Sequence, residues 1–209
     1  MKIGVLGGTF DPIHLGHLAI AEEARWLLAL NKVLFLPAGR PYFKEGYVIS
    51  SAEDRIRMLE LAVAGQPAYL VSQLEIERPG PSYAVDTIEQ IRKQLNPTDE
   101  IFFIMGWDSL MSLPLWHQAD RLIKLCRVVA APRPGYAQPN LKSLVPDLPG
   151  ITGRAIIMER PLIDISATHI REKIRQGLSI DGLVPPAVAA YISEKGLYRG
   201  ENPQRQTGS

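Results

Sequence analysis

The stretch GGTFDPIHLGH, residues 7–17, joins the first predicted strand to the first predicted helix. Its two leading glycines carry no side chain, so backbone N–H groups can approach a phosphate closely, and the helix N-terminus adds partial positive charge. His14 and His17 lie three residues apart, which places both imidazoles on one face of the helix start. Gly16 removes a side chain that would crowd a ligand there. The stretch therefore predicts an anion site at a strand-to-helix junction.

Outward from this turn, short apolar runs alternate with segments of helical periodicity. Continuous apolarity is typical of strands buried on both faces, and the alternation predicts an α/β fold with a doubly wound, mostly parallel sheet. Predicted strands are 3–6, 33–36, 69–71 with 74–76, 101–105, 128–131 and 155–158. Predicted helices are 18–28, 56–63, 85–95, 119–126, 167–175 and 187–195.

Capping residues indicate where some of these helices begin and end. Ser50 followed by Glu53 predicts a capping box for the second helix, and Gly196 ends the last one. The connections at 37–49 and 132–153 have no clear period and follow strands, where sheets of this kind bind ligands. We expect a single domain over residues 1–200, with a small helical C-terminal part at about 166–200 and a flexible tail at 201–209.

Composition and charge exclude several classes of protein. The 209 residues are 46% hydrophobic and 22% charged, with a formal net charge of +1, which gives no bulk attraction to nucleic acid. Cys126 is the only cysteine, which excludes an internal disulfide framework and suits a reducing compartment. No segment approaches the roughly 20 apolar residues of a membrane span. We expect a cytoplasmic protein without nucleic-acid or membrane partners, and the sequence is compatible with a homo-oligomer.

The local pattern alone leaves more than one hypothesis open for the histidine pair. A zinc site would need a third protein ligand, which Asp11 could nominally supply, but nothing nearby resembles a metalloprotease helix. The chain has neither a Gly-x-x-x-x-Gly-Lys-Ser/Thr loop nor a Gly-x-Gly-x-x-Gly turn, which disfavours ordinary nucleoside triphosphatases and dehydrogenases.

Three further segments can bind a nucleotide or serve structure alone. Asp108, in GWD after strand 101–105, can accept hydrogen bonds from ribose hydroxyls or act as a solvated helix cap. Arg133 can stack on adenine or lie in a solvated loop. Ser166 is an N-cap candidate that needs no ligand.

The stretch 7–17 resembles the Gly-Thr-Phe-Asp-Pro-x-His-x-Gly-His element of the nucleotidyltransferase superfamily, which has a Rossmann-like fold. The segment ISATHIR at 165–171 resembles that superfamily's Ile-Ser-Ser-Thr-x-Ile-Arg element, although Ala167 lacks the usual hydroxyl. This resemblance implies a set of residues that hold ATP and its outgoing pyrophosphate: Gly8, Thr9, Phe10, His14, Gly16, His17, Gly106, Asp108, Ser166, Thr168 and Arg171. Arg133 is added as an ATP-binding candidate from its place after strand 128–131.

The acceptor side resembles bacterial nicotinate-nucleotide adenylyltransferases. The segments PSYAVDT at 81–87 and WH at 116–117 carry this resemblance, which implies that Trp116 stacks on a pyridine ring. It also implies nicotinate-nucleotide contacts from Ser82, Tyr83, Ala84 and His117. Trp116 and Tyr83 can equally fill the core. Ala84 and Phe43 depart from the family pattern, which has threonine and histidine there, whereas Lys44 matches.

The resemblance implies adenylyl transfer from ATP to nicotinate mononucleotide, giving deamido-NAD and pyrophosphate. The acceptor's own phosphate is the nucleophile, so the residues expected to act, His14, His17, Lys44 and Arg171, would align substrates and stabilise charge. Mg²⁺ would arrive with ATP, and no protein metal site is expected. Alternatives are another acceptor, such as nicotinamide mononucleotide or phosphopantetheine, or a non-catalytic nucleotide-binding regulator. A class I tRNA synthetase is disfavoured because no Lys-Met-Ser-Lys-Ser loop is present.

Overall fold

Six strands form one parallel sheet in the computed structural model, which describes residues 1–39 and 49–200. The strands are β1 (Lys2–Gly8), β2 (Lys32–Pro37), β3 (Tyr69–Val71), β4 (Glu100–Gly106), β5 (Arg127–Ala131) and β6 (Ala155–Ile157). Their order across the sheet is β3-β2-β1-β4-β5-β6, and every described pairing is parallel. The predicted doubly wound α/β architecture is confirmed.

Seven α-helices flank this sheet in the described residues. They are α1 (Leu15–Leu28), α2 (Ala52–Val63), α3 (Ala84–Lys93), α4 (Trp107–Ser112), α5 (Ala119–Leu125), α6 (Ala167–Arg175) and α7 (Pro186–Lys195). Short 3-10 helices lie at Leu113–Leu115, Leu141–Leu144 and Ile151–Gly153, the last two inside the connection 132–153. Gly196 closes α7 in a left-handed conformation, as predicted.

Alternation along the buried strands divides the core into two layers. Val5 and Phe103 face the first hydrophobic cluster, which packs α3, α4 and α5 on the sheet, whereas Leu6 and Phe102 face the second. The second cluster packs α1, α2, α6 and α7 on the opposite face. Because both faces of the central strands are covered, the middles of these strands are apolar on both sides, which explains the continuous runs in the sequence.

Two local predictions were wrong, and one helix was not predicted. Ser51, not Ser50, caps α2, and its hydroxyl accepts from the Asp54 N–H at 3.0 Å. Residues 74–76 form a turn rather than a continuation of β3. The six-residue helix α4 was not predicted, because so short a segment shows no helical period.

The chain order reverses between β1 and β4, which are neighbours in the centre of the sheet. Ligands bind at such a switch point, outside the carboxyl ends of the strands. The GGTFDP turn begins at the end of β1, and the GWD segment begins at the end of β4. Among residues 1–39 and 49–200, no helix has the length and apolarity needed to span a membrane. The predicted tail 201–209 and residues 40–48 of the predicted loop lie outside the described residues.

Candidate functional site

A cavity of about 340 Å³ opens at the carboxyl ends of β1, β4 and β5. It is lined by the turn after β1, the starts of α1 and α4, the loop after β5, and the start of α6. Eleven of the predicted ATP-side residues line it: Thr9, Phe10, His14, Gly16, His17, Gly106, Asp108, Arg133, Ser166, Thr168 and Arg171. Gly8 is absent from the lining; a Cβ there would lie 3.0 Å from the Phe10 ring. The fold therefore assembles distant segments into one pocket.

The turn after β1 is held by a buried aromatic ring. Phe10 is 1% exposed and has φ of 51°, a left-handed conformation that is uncommon for a residue with a side chain. Its ring centroid lies 6.0 Å from that of Phe35 and 5.0 Å, edge-on, from that of His17. The packing of this ring stabilises a backbone conformation that the turn requires.

The two histidines of the turn stack on each other. Their ring centroids are 3.6 Å apart with planes inclined by 26°. The backbone N–H of His14 donates to Nδ1 of His17 at 3.3 Å. Since Nδ1 accepts, a neutral His17 carries its proton on Nε2, which can donate to a ligand.

Burial keeps both imidazoles uncharged near neutral pH. It lowers the pKa of His14 from 6.5 to about 4. Burial also lowers the pKa of His17 well below 6.5, and the charges of His14 and Arg133 act in the same direction. The pair therefore offers hydrogen-bond donors in the cavity rather than two fixed cations.

An ion pair crosses the cavity wall between the ends of β4 and β5. Arg133 binds Oδ2 of Asp108, and its guanidinium also lies 5.5 Å from the Tyr136 ring centroid. Oδ1 of Asp108 is buried, and within the described residues it has no hydrogen-bond partner. Gly106 makes room for it, because a Cβ there would lie 2.5 Å from that oxygen. Gly106 is also the N-cap of α4, so the alternative of Asp108 as a helix cap was wrong.

The start of α6 completes the cavity. Ser166 is its N-cap and accepts from the His169 N–H at 3.2 Å, so the structural role considered for this serine is confirmed. Arg171 is 5% exposed and donates to the Asp11 carbonyl at 2.7 Å and to the Thr168 hydroxyl at 3.2 Å. Arg171 therefore ties α6 to the turn after β1, across 160 residues of sequence.

The residues predicted for the acceptor lie together but outside this cavity. The Tyr83 ring centroid is 4.2 Å from that of His117, and Trp116 packs edge-on against Phe103 at 6.2 Å. Trp116, Tyr83 and Ala84 are partly buried against the first hydrophobic cluster. The Ser82 hydroxyl donates to the Glu75 carbonyl at 3.4 Å. Lys44 lies outside the described residues.

Two groups behind the turn, one buried and one partly buried, were not predicted from the sequence. Arg55 in α2 is 2% exposed, and Tyr198 donates to Oδ1 of Asp11 at 2.6 Å. Burial beside the Asp11 carboxylate raises the pKa of the Tyr198 hydroxyl far above 10. A signal for Arg55 was present, because it shares the buried face of α2 with Met58 and Leu59. A cation at such a position needs a structural or functional reason.

Within residues 1–39 and 49–200, no group of three or more His, Cys, Asp and Glu side chains is placed to hold a metal ion. The cavity carries two carboxylates in its lining, Asp11 and Asp108, and the first accepts from Tyr198 while the second binds Arg133. The donors around the cavity are histidines, arginines and hydroxyls, which suit an anion such as a triphosphate.

Comparison with known proteins first defines the class. The family model described as cytidylyltransferase-like matches residues 5–173, a stretch that contains the turn after β1, the end of β4 and the start of α6. Among solved structures, two of a Plasmodium falciparum nicotinic acid mononucleotide adenylyltransferase superpose with TM-scores of 0.77 and 0.75 at 17% identity. They cover 94% of this chain, and they were solved as complexes with NaAD and with APC respectively. These structures share the fold.

Proteins similar in sequence identify the family within this class. A protein of Dehalococcoides mccartyi (strain ATCC BAA-2266 / KCTC 15142 / 195) is 46% identical over 95% of this chain and 97% of its own length. One of Moorella thermoacetica is 44% identical over 95% of this chain and 92% of its own length. Both carry the name "probable nicotinate-nucleotide adenylyltransferase". The chain therefore belongs to the nicotinate-nucleotide adenylyltransferase family of cytidylyltransferase-like proteins.

Proposed function

We propose that this protein transfers the adenylyl group of ATP to nicotinate mononucleotide, releasing pyrophosphate and forming deamido-NAD. One observation carries the proposal: a single cavity gathers the stacked His14 and His17, the free oxygen of Asp108 and the N-terminus of α6. The family membership agrees with it, because relatives of that name match nearly the whole chain.

The proposed contacts assign different residues of the cavity to the ribose, the adenine and the phosphates of ATP. Oδ1 of Asp108 is a buried acceptor for a ribose hydroxyl, and Arg133 lies beside it to contact the adenine. His14, His17 and the turn at Thr9 and Phe10 would donate hydrogen bonds to the phosphates. The helix N-terminus at Ser166 and Thr168, together with Arg171, would hold the leaving pyrophosphate.

The reaction needs no nucleophile from the protein. An oxygen of the acceptor's 5′-phosphate attacks the α-phosphorus of ATP, a new P–O bond forms, and the bond to the bridging oxygen of pyrophosphate breaks. Charge grows on the departing oxygens, where the neutral histidines and the cations Arg171 and Lys44 would stabilise it. Mg²⁺ bound through the ATP phosphates would neutralise further charge. The hydrogen-bond donors of the cavity suit the phosphates of ATP that would bring this ion.

The acceptor subsite is proposed at the aromatic cluster of Tyr83, Trp116 and His117. Its flat faces suit a pyridine ring, and Ser82 and the N-terminus of α3 at Ala84 lie beside it. The Ala84 side chain has no hydroxyl, so the nicotinate carboxylate would rely on backbone N–H groups near Ala84 and His117.

We also propose a cytoplasmic location, which suits the buried, single Cys126.

The deciding experiment measures pyrophosphate release with ATP and Mg²⁺ in three parallel reactions. The acceptors are nicotinate mononucleotide, nicotinamide mononucleotide and phosphopantetheine. We expect strong preference for nicotinate mononucleotide, with deamido-NAD identified by mass. His17→Ala, purified in the same way, is the matched control, because a contaminating host enzyme would release pyrophosphate in both preparations.

The other outcomes are equally informative. Preference for nicotinamide mononucleotide or phosphopantetheine would keep adenylyl transfer and refute the acceptor assignment. ATP binding by calorimetry without turnover on any acceptor would refute the enzyme and favour a nucleotide-binding regulator.

A further inference from the structure

Arg55 reaches three separate segments of the chain with one side chain. Its Nη1 donates to the Thr9 carbonyl at 3.1 Å and to the Ala38 carbonyl at 2.8 Å, and its Nε donates to the Ser50 carbonyl at 3.3 Å. Thr9 lies in the turn after β1, Ala38 follows β2, and Ser50 precedes α2. The guanidinium therefore joins the turn that lines the cavity to the end of the neighbouring strand and to its own helix.

The surroundings explain why this position holds a cation. Arg55 is 2% exposed, and a buried guanidinium is costly unless its N–H groups are used and a counter-charge lies near. Three carbonyls use the N–H groups, and Asp11 in the same turn supplies the counter-charge. Asp11 is fixed in turn by the Tyr198 hydroxyl and by the Ser50 N–H.

Arg55 does not line the cavity, but Thr9, whose carbonyl it binds, does. The Thr9 carbonyl belongs to the same short turn as the strained Phe10. At the end of β1, where this turn begins, the Gly8 carbonyl accepts a hydrogen bond from the Ala38 N–H at 2.9 Å. Without Arg55 the turn would keep the Phe10 packing and the backbone bond from Ala38, but the Thr9 carbonyl would lose its link to Ala38 and Ser50, and Asp11 would lose its counter-charge. A displacement of about 1 Å in such a turn can cost 10²-fold in rate.

From this geometry we infer that Arg55 is a positioning residue for adenylyl transfer: its guanidinium clamps the Thr9 turn against β2 and α2 and so places the phosphate-binding donors. The inference rests on the proposed function for its kinetic consequence. A lysine has the charge, but its three N–H donors all lie on one nitrogen, so it cannot span three separate carbonyls as the planar guanidinium does.

The test compares Arg55→Gln and Arg55→Lys with Leu59→Ala. Leu59 is fully buried one turn further along the same helix, and its truncation destabilises the core without touching the three carbonyls. Pyrophosphate release is measured for each variant at a temperature where circular dichroism shows it fully folded. We expect kcat at least about 10-fold lower in both Arg55 variants, together with a raised KM for ATP, and within about twofold of wild type in Leu59→Ala.

Hydrogen–deuterium exchange gives a second readout that does not depend on activity. Backbone amides at residues 8–11 should exchange faster in both Arg55 variants than in Leu59→Ala at equal global stability. If Arg55→Gln does not fold, Arg55→Lys carries both measurements.

Each contrary result is distinguishable. Wild-type kcat in Arg55→Lys would reduce the role to charge and overturn the clamp. Equal losses in Leu59→Ala, or equal exchange at 8–11 in all variants, would leave only a general contribution to stability and overturn it as well. An inactive wild-type protein would refute the proposed function, whereas the exchange comparison would still decide whether Arg55 holds the turn.

Discussion

Acid should destabilise this protein through His14, and the size of the effect can be worked out. His14 has a pKa of about 4 in the folded protein, against 6.5 when it is unfolded. The unfolded chain therefore binds the proton more readily, so the contribution of His14 to stability is complete above pH 6.5 and is lost as the pH falls toward 4. For these two values, the loss between pH 8 and pH 5 is about 2 kcal/mol.

The variant His14→Gln removes this titration. Urea unfolding of wild type and variant at pH 8 and pH 5 measures the difference, and the drop in unfolding free energy should be smaller by about 2 kcal/mol in the variant. With a urea m-value near 2 kcal/mol/M, that is a difference of about 1 M in the shift of the midpoint. Loss of His14 also removes one cause of the lowered His17 pKa, which acts in the same direction.

The control is His169→Gln, which removes an exposed histidine from α6. Equal losses of stability between the two pH values in wild type and His14→Gln would refute the prediction, because His14 would then titrate alike in the folded and unfolded chains.

Two further predictions concern the substrates. His17→Ala should lower turnover about 10²–10³-fold while the protein stays folded, because a preorganised donor to the phosphates is lost; near-wild-type turnover in steady-state assays would exclude that role. Trp116→Ala should raise the KM for nicotinate mononucleotide about 5-fold and leave the KM for ATP within about twofold, since ring stacking contributes about 1 kcal/mol. Equal changes in both constants would indicate that Trp116 only packs on Phe103.

The sequence was sufficient for the sheet and for the ATP side of the site because both depend on local patterns. Continuous apolar runs predicted all six strands, and the turn and helix starts at 7–17 and 165–171 carry their anion-binding character in adjacent residues. Of the predicted ATP-side residues in the described chain, all but Gly8 line the cavity.

What the sequence missed depends on contacts between distant segments. The Ser-x-x-acid spacing occurs at both Ser50 and Ser51, and only tertiary structure selects the second, because the Ser50 backbone binds Asp11 and Arg55. The apolar residues at 74–76 turn away from β3, and a Cβ on Gly39 would lie 2.0 Å from the Glu75 carbonyl, so the chain packs closely there. Arg55 lies 46 residues from Thr9, beyond any local period.

The two-layer core separates the effects of substitutions on its two sides. Phe10, which lines the cavity, packs into the second cluster, whereas Tyr83, Ala84 and Trp116 rest on the first, across the sheet. Substitutions that reshape one layer are thus shielded from the other by six strands. A substitution that changes the packing of one layer should therefore leave the side chains that rest on the other layer in place. The central sheet is a mechanical barrier between the cavity that Phe10 lines and the aromatic side chains around Trp116.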